Sequence, residues 1–392
     1  MKKKKDDTIL THAGSHPEDH NGAVNPPVYR VSTVVFPSME ALHATSSRPY
    51  DSMRYGRHGT PTSFAFQEAV CALDGGYRSI ATCSGQAAIA STLAALLHQG
   101  DHALIADCVY HPTREYCTKQ LARCGVEIEF YDPLIGGDIA KLIRPNTKVV
   151  FTESPGSLSF EIQDIPAIAE AAHAKGVVVV MDNTWGTSLF FKALDKGVDI
   201  SLQAATKFLV GHSDAMLGVI TCKHEEHWQK IKSSIAISGV APGSEEVFLG
   251  LRGIRTLGVR LRQHQESGLK IARWLQAHPL VTRVMHPALP QDPGHQLWKR
   301  DFTGACGLFA VELVPGSAAA VASMVDNLDY FGIGFSWGGF ESLILPTTGA
   351  IHRSATQWQP AGPTLRLHIG LEDPDDLTAD LAAGLERFDA AR

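Results

Sequence analysis

The sequence predicts an α/β protein. A large domain with a mostly parallel seven-stranded sheet is preceded by an N-terminal arm and followed by a smaller α+β domain. Three observations predict it. Between residues 58 and 250, helical periodicity alternates with short β-branched runs, the rhythm of strand–helix–strand units. One run, Val177-Val178-Val179-Val180, is apolar without alternation, as a strand covered on both faces requires. Past residue 251 the rhythm stops and a long helical stretch takes over. A chain of 392 residues accommodates two or three such units and buries a large core. The expected boundaries are 1–57 for the arm, 58–250 for the large domain and 251–392 for the small one.

The arm is rich in turn-forming segments, Asn25-Pro26-Pro27, Phe36-Pro37-Ser38 and Arg48-Pro49-Tyr50, with one short helix expected near 39–45. A segment with so little core of its own lies across another domain or subunit. In the large domain, helices are expected over 64–73, 86–98, 112–124 and 165–175. The seven strands are expected over 79–82, 103–106, 126–131, 148–153, 177–181, 200–204 and 215–221. The small domain opens on one helix over 253–277, with Arg252, Arg255, Arg260 and Arg262 on its polar faces. Strands over 307–313 and 364–369 and a closing helix over 376–388 complete it. A parallel sheet of this kind binds ligands at the carboxyl ends of its strands.

Composition narrows the function. Thirty-five Lys+Arg stand against 41 Asp+Glu, a formal charge of −6, and Lys2, Lys3, Lys4 and Lys5 supply four of the positive charges. The remainder is more acidic still, which disfavours nucleic acid as a partner because phosphate attraction supplies most non-specific affinity. The lysine run reads as a solvated tail. Seven scattered cysteines without a CxxC pair argue against a disulfide framework and a zinc site, and for a reducing compartment. The charged start leads into Thr8-Ile9-Leu10-Thr11-His12, too short an apolar run for a signal peptide. No stretch reaches the roughly 18 apolar residues of a membrane span. The expected location is the cytoplasm, without membrane contact.

Three segments carry the chemistry. Lys207, in Ala204-Ala205-Thr206-Lys207-Phe208, ends a strand among apolar and small residues. Burial there lowers an amine's pKa and makes it a nucleophile for carbonyls. Taken alone, it is equally a surface lysine of a connecting loop. Asp182 ends another strand, in Val180-Met181-Asp182-Asn183-Thr184, one strand–helix–strand unit before Lys207. Alone it would be a helix or turn cap. A lysine for an imine and an acid for a ring nitrogen are the pair that pyridoxal phosphate needs. Ser84-Gly85-Gln86-Ala87-Ala88 follows a strand directly and opens a helix, a place where free N–H groups suit a phosphate. Small residues in such turns are common, so this third signal is weak by itself.

These residues, in order along the chain, resemble the γ-family of fold-type I pyridoxal-phosphate enzymes of cysteine and methionine metabolism. The matching motifs are Tyr55-Gly56-Arg57-His58-Gly59-Thr60-Pro61-Thr62, the Ser84 turn, Asp182-Asn183-Thr184-Trp185, Thr206-Lys207, Gly211-His212-Ser213-Asp214 and Arg366-Leu367-His368-Ile369-Gly370. They cover nearly the whole chain, from Thr11-His12-Ala13-Gly14 to Leu371-Glu372-Asp373. The resemblance implies a PLP-dependent transferase-like fold, with 58–250 as the PLP-binding catalytic domain. It implies Lys207 as the covalent anchor of pyridoxal 5'-phosphate and proton shuttle, Asp182 at the pyridine nitrogen, and Tyr110 stacked on the ring. Gly85, Gln86 and Thr206 fall where the phosphate cradle would be, with Ser201 or Ala204 as a further member. Tyr55 and Arg57 would reach the neighbouring subunit's site, which implies a homodimer, and two dimers a tetramer. Arg366 would clamp the substrate carboxylate, with Ser336, Trp337 and Tyr55 alongside.

Ser336-Trp337-Gly338-Gly339-Phe340-Glu341-Ser342, Asp132-Pro133-Leu134-Ile135-Gly136 and Phe151-Thr152-Glu153-Ser154-Pro155-Gly156-Ser157 look most like the family's bacterial β-lyase branch, where γ-acting members carry an aliphatic at the Trp337 position. The implied activity is carbon–sulfur β-elimination of L-cystathionine to L-homocysteine, pyruvate and ammonia, a transsulfuration step of methionine biosynthesis, with cysteine desulfhydration as a side activity. The alternative is a γ-acting sibling: cystathionine γ-lyase, cystathionine γ-synthase or methionine γ-lyase. A regulator that kept the fold is a further alternative, disfavoured because every core catalytic position is filled and no basic extension exists. Phe335, His58 and Thr60 depart from residues common in the family. His12, His16 and His20 repeat every four residues, but Gly14 and Pro17 break any helix that would align them on a metal. No Gly-x-Ser-x-Gly elbow supports a serine hydrolase.

Overall fold

The computed structural model describes residues 4–47 and 50–392. Lys2 and Lys3 of the lysine run and Arg48-Pro49 of the arm lie outside the described residues; Lys4 and Lys5 are exposed. The seven strands of the first sheet are β1 (Arg78–Thr82), β2 (His102–Ala106), β3 (Glu127–Tyr131), β4 (Thr147–Glu153), β5 (Val178–Asp182), β6 (Ile200–Gln203) and β7 (Gly218–Cys222). They lie in the order β1-β7-β6-β5-β4-β2-β3. The sheet is mostly parallel, as expected, with β7 antiparallel to both its neighbours. β5, at its centre, is buried from Val179 to Asp182, which accounts for the unbroken apolar run.

Local chemistry sets the helices between the strands. Pro61–Asp74 starts in a capping box between Thr60 and Ser63 and stops at Gly75, which adopts a left-handed conformation. Gly85–Leu96 is capped by the Ser84 hydroxyl, which accepts from Ala87 N, and Ile165–His173 by the Asp164 carboxylate, which accepts from Ala167 N. The stretch expected as one helix over 112–124 changes pitch instead. It is α-helical over His111–Glu115, a π-helix over Tyr116–Leu121 and 3₁₀ over Ala122–Cys124.

A second, five-stranded sheet contains β8 (Val281–Met285), β9 (Leu308–Leu313), β10 (Gly332–Ile333), β11 (Leu343–Pro346) and β12 (Thr364–His368), in the order β10-β11-β12-β9-β8. Helices Leu257–Gln276, Ala318–Val325 and Pro374–Ala391 bury Leu275, Met324, Leu381 and Phe388 with Phe309 and Val311 of β9 in a core of its own. β8, β10 and β11 were not expected from the sequence, because each is short or carries few buried apolar residues.

The single helix expected over 253–277 is two, Ser244–Ile254 and Leu257–Gln276, separated at Arg255-Thr256. Its arginines are not all on polar faces. Arg260 is 6% exposed, and its guanidinium donates to Phe208 O at 2.8 Å and Gly253 O at 2.7 Å. The break leaves Gly253 O at a helix end, and Arg260 donates to it while also tying down Phe208 O of the turn that holds Lys207. Arg255 donates to Leu10 O and Ala13 O, which ties down the first helix, Asp6–His12.

In the arm, the expected short helix runs over Met39–Ala44, with Ser38 as its cap. Thr33 bridges to Tyr55, while Val24, Val35 and Met39 stand largely exposed. His16 bonds the Glu68 carboxylate at 2.7 Å. Among the described residues, no helix is long and apolar enough to cross a membrane.

Candidate active site

The carboxyl ends of adjacent strands β4, β5 and β6 meet at one edge of the large sheet. Asp182 closes β5, opposite Glu153 at the end of β4, and both are largely buried. Asp182 Oδ1 accepts from Thr184 N at 2.9 Å and Thr184 Oγ1 at 2.5 Å; among the described residues Oδ2 has no protein partner. Glu153 Oε2 accepts from Tyr110 N at 2.7 Å. Burial, and then the Asp182 charge, push the Glu153 carboxyl well above its usual range. Burial also pushes Asp182 up, against the lowering effect of its Thr184 bonds and of Lys207. Two neighbouring buried carboxyls therefore favour a cation beside the free Oδ2. A protonated pyridine nitrogen is such a cation.

Lys207 lies in the turn after β6, where Lys207 N donates to Ala204 O and Lys207 O accepts from Gly211 N. Its Nζ donates to Ser336 Oγ at 2.7 Å and stands 5.4 Å from the Trp337 ring centre. Burial first, then the Arg366 charge, lower the Lys207 amine to about 8, with Asp182 opposing. At pH 7 that leaves roughly one amine in ten neutral, against fewer than about one in a thousand for an ordinary lysine. Attachment of an aldehyde cofactor to the apo-protein should therefore accelerate about tenfold per pH unit as pH rises toward the Lys207 value, and level off above it. Stopped-flow absorbance of the reconstitution reads this directly; a rate independent of pH through the neutral range would refute a depressed amine.

Arg366, on β12, is 8% exposed and donates through Nη2 to Ser336 O at 2.8 Å; burial brings it down to about 10. One turn thus offers its hydroxyl to Lys207 and its carbonyl to Arg366. Ser336 holds a left-handed φ of +67°, and Trp337 packs against Phe208 at 5.4 Å between ring centres. A cavity of about 710 Å³ adjoins the turn, lined by Thr206, Ser336 and Trp337 together with Asp214, Met216 and Glu246. Phe335 projects from the same turn, 84% exposed.

Tyr110 precedes the helix His111–Glu115 at its N-cap and is 45% exposed. Its phenol is raised by burial and by the charges of Glu153 and Asp182, and lowered by Arg366. Gly85 opens the helix Gly85–Leu96 where a Cβ would meet Ala204 Cβ at 2.5 Å, a close approach only glycine permits. Gln86 Nε2 donates to Pro112 O at 3.2 Å, while its Oε1 is buried without a partner among the described residues. The Thr206 hydroxyl donates to Leu217 O and accepts from Leu217 N, which pins the turn to the approach of β7. Ser201 sits inside β6, whereas Ala204 is the residue packed on Gly85. Helix N–H groups at Gly85 and Gln86 beside that turn suit a phosphate group.

Tyr55 and Arg57 lie apart from this cleft within the chain. Tyr55 is 46% exposed, and Arg57 donates to Ala236 O on the helix Glu225–Ser238. Glu153 had no role assigned from sequence. It closes an apolar strand with an acid just as Asp182 does, and that parallel was the available signal.

A nucleophilic lysine, a buried acid one strand away, a phosphate-suited helix start and an arginine across the cleft define a pyridoxal-phosphate enzyme of the α/β class. The chain belongs to the Cys/Met metabolism PLP-dependent enzyme family, whose sequence profile matches residues 7–386. It is 46% identical to the cystathionine beta-lyase of Escherichia coli (strain K12), over 99% of this chain and 100% of that protein. Identity to the cystathionine beta-lyase of Haemophilus influenzae is 42%, over 97% and 98% of the two chains. The crystal structure of cystathionine gamma synthase from Xanthomonas oryzae pv. oryzae, in complex with aminoacrylate and cysteine, superposes with a TM-score of 0.91 at 32% identity, covering 99% of this chain and all of that one.

Proposed function

We propose that the protein is a carbon–sulfur β-lyase that converts L-cystathionine and water to L-homocysteine, pyruvate and ammonia. The observation that carries this reading is the Ser336 turn, which joins Lys207 Nζ at 2.7 Å to Arg366 at 2.8 Å. A base and a carboxylate clamp are thereby held by one turn. Pyridoxal 5'-phosphate, when bound, supplies an electron sink that acidifies the α-carbon of an amino acid.

Lys207 would hold the cofactor's aldehyde carbon and, once the substrate amine displaces it, act as the base. Its depressed pKa keeps a useful fraction of the freed amine able to take the α-proton. Acid–base groups positioned in this way contribute about 10²–10⁴-fold in rate. Asp182 Oδ2 would accept from the ring N–H, Tyr110 would cover one ring face, and Gly85, Gln86 and Thr206 would hold the phosphate. Arg366 would take the α-carboxylate as a planar two-pronged pair, with Ser336 and Trp337 fixing its direction.

The exposed arm residues Val24, Val35 and Met39, and the separation of Tyr55 and Arg57 from their own chain's cleft, support an arm that crosses to a second subunit. Tyr55 and Arg57 would complete that subunit's phosphate and substrate contacts, in a dimer of dimers. The working division is an arm over 1–57, a catalytic domain over 58–250 and a small domain over 251–392. Location in the cytoplasm fits an enzyme of small amino acids with unpaired cysteines.

Similarity to a γ-synthase structure keeps a γ-acting reading in view. Trp337 favours β-elimination, because an indole beside the carboxylate pocket restricts the distal chain and leaves Cβ–S aligned for cleavage. Product analysis with cystathionine decides: pyruvate with homocysteine is expected, and comparable 2-oxobutyrate with cysteine would overturn the β-specific reading.

A further inference from the structure

Behind the Ser336 turn lies a buried group that the proposed reaction does not use. His264, on the helix Leu257–Gln276, and His368, the last residue of β12, are both fully buried. Their ring centres are 5.2 Å apart, and Phe208, the residue after Lys207, lies 5.4 Å from His264 and 6.1 Å from His368.

Their hydrogen bonds determine where the protons sit. His264 Nδ1 is 2.8 Å from Ile369 O, and a carbonyl only accepts, so Nδ1 carries the proton and Nε2 is a bare acceptor. Gly338 N donates to His368 Nε2 at 3.1 Å, so there Nε2 is bare and Nδ1 carries the proton. Gly339 O stands 3.2 Å from the same Nε2 and would draw the opposite tautomer. That choice leaves the Gly338 N–H without its acceptor and leaves both rings with a bare acceptor nitrogen.

Among the described residues, the two atoms left over, His264 Nε2 and His368 Nδ1, are buried without a partner. One is an acceptor and the other a donor, on rings whose centres are 5.2 Å apart and which no direct hydrogen bond joins, so a water between them would satisfy both. Burial holds His264 at about 4 and His368 at about 3, assisted by Arg260 at the former and by Arg366 and Lys207 at the latter. Neutrality is essential, since a protonated imidazole has no acceptor for Gly338. Gly338 in turn has a left-handed φ of +85°, and a Cβ there would lie 3.0 Å from Lys207 Cα. The turn therefore rests on the Lys207 backbone, with left-handed φ at Ser336 and Gly338; at Ser336, which carries a Cβ, that conformation is strained and persists only under outside restraint.

We propose that His264 and His368 are positioning residues, a neutral imidazole pair joined through these two nitrogens by one buried water, that locks the turn 336–339 over Lys207 and so sets the carboxylate pocket. The kinetic part rests on the β-lyase reading; the tautomers do not. Nitrogen-15 NMR of the histidine-labelled holoenzyme should show two neutral Nδ1–H imidazoles, assigned by their loss in His264→Gln and His368→Gln. Assignment of either to an Nε2–H form overturns the pair. In His368→Ala, KM for cystathionine should rise about tenfold or more with kcat and cofactor content nearly unchanged, the signature of lost substrate positioning. His368→Gln, whose amide oxygen can take the Gly338 N–H, should recover most of that loss. An alanine variant whose KM stays at the wild-type value, with only a smaller active fraction, would reduce the pair to packing. Should His368→Ala not fold, the wild-type tautomers still decide. A wild type without β-elimination would fail the proposed function while leaving the NMR result to stand by itself.

Discussion

Lys207→Ala should lower turnover by about 10⁴-fold or more and abolish the visible band of the lysine-linked cofactor. Alanine removes both the covalent anchor and the base, and the cleft offers no second amine: the other cation there, Arg366, is a guanidinium still near 10. Cofactor should nevertheless remain bound, through the Gly85 helix start and the Asp182 carboxylate, and be released free on denaturation. Lys207→Arg isolates the cause. It keeps a positive charge beside Ser336 but cannot become a neutral nucleophile at working pH, so it should be equally inactive. Either variant with a wild-type visible band and turnover would remove Lys207 from the assignment. An active Lys207→Arg alone would show that charge, and not nucleophilicity, is what the site requires.

The large sheet was legible because its strands are written in β-branched residues: Val178 to Met181 cannot be amphipathic helix and must be covered on both sides. Lys207, Asp182 and the Ser84 turn were legible for a related reason, since each is a polar or small residue terminating such a run at the ligand edge of the sheet. The small domain was harder. β10 contains two residues and β11 four, too few for a period to show. Arg260 was misread because a guanidinium in a helical stretch looks like a solvent-facing residue. Its actual task, donating to Gly253 O at a helix break and to Phe208 O, depends on a break that no proline announces. Glu153 and the His264–His368 pair were missed because their meaning lies in neighbours distant in sequence. Glu153 matters through Tyr110 N and Asp182, and His368 through Gly338 N, 30 residues away. The arm shows the converse limit: Tyr55 and Arg57 are plain in sequence, yet in a single chain Arg57 bonds the Ala236 carbonyl and Tyr55 stands exposed.

The arm supplies the second large effect, a recovery of activity from two inactive proteins. Arg57→Ala should be nearly inactive because its cofactor phosphate loses a guanidinium contact, and Lys207→Ala should be inactive for the reasons given above. Within one chain, Arg57 donates to the Ala236 carbonyl on Glu225–Ser238, whereas Lys207 lies against Ser336 on the other domain. In a dimer with exchanged arms, each cleft takes Lys207 from one subunit and Arg57 from the other. A hybrid of the two variants therefore has one cleft with both defects and one with neither. Random pairing makes half the dimers hybrid, each with one intact site of two, so an equal co-expression should reach about a quarter of wild-type activity. Cofactor content should rise in step, because the intact cleft regains the full phosphate cradle. If the arm serves its own subunit, every cleft in the mixture keeps a defect and activity stays at the level of the single variants. That outcome would leave Lys207 and Asp182 in place and remove Tyr55 and Arg57 from the neighbouring site.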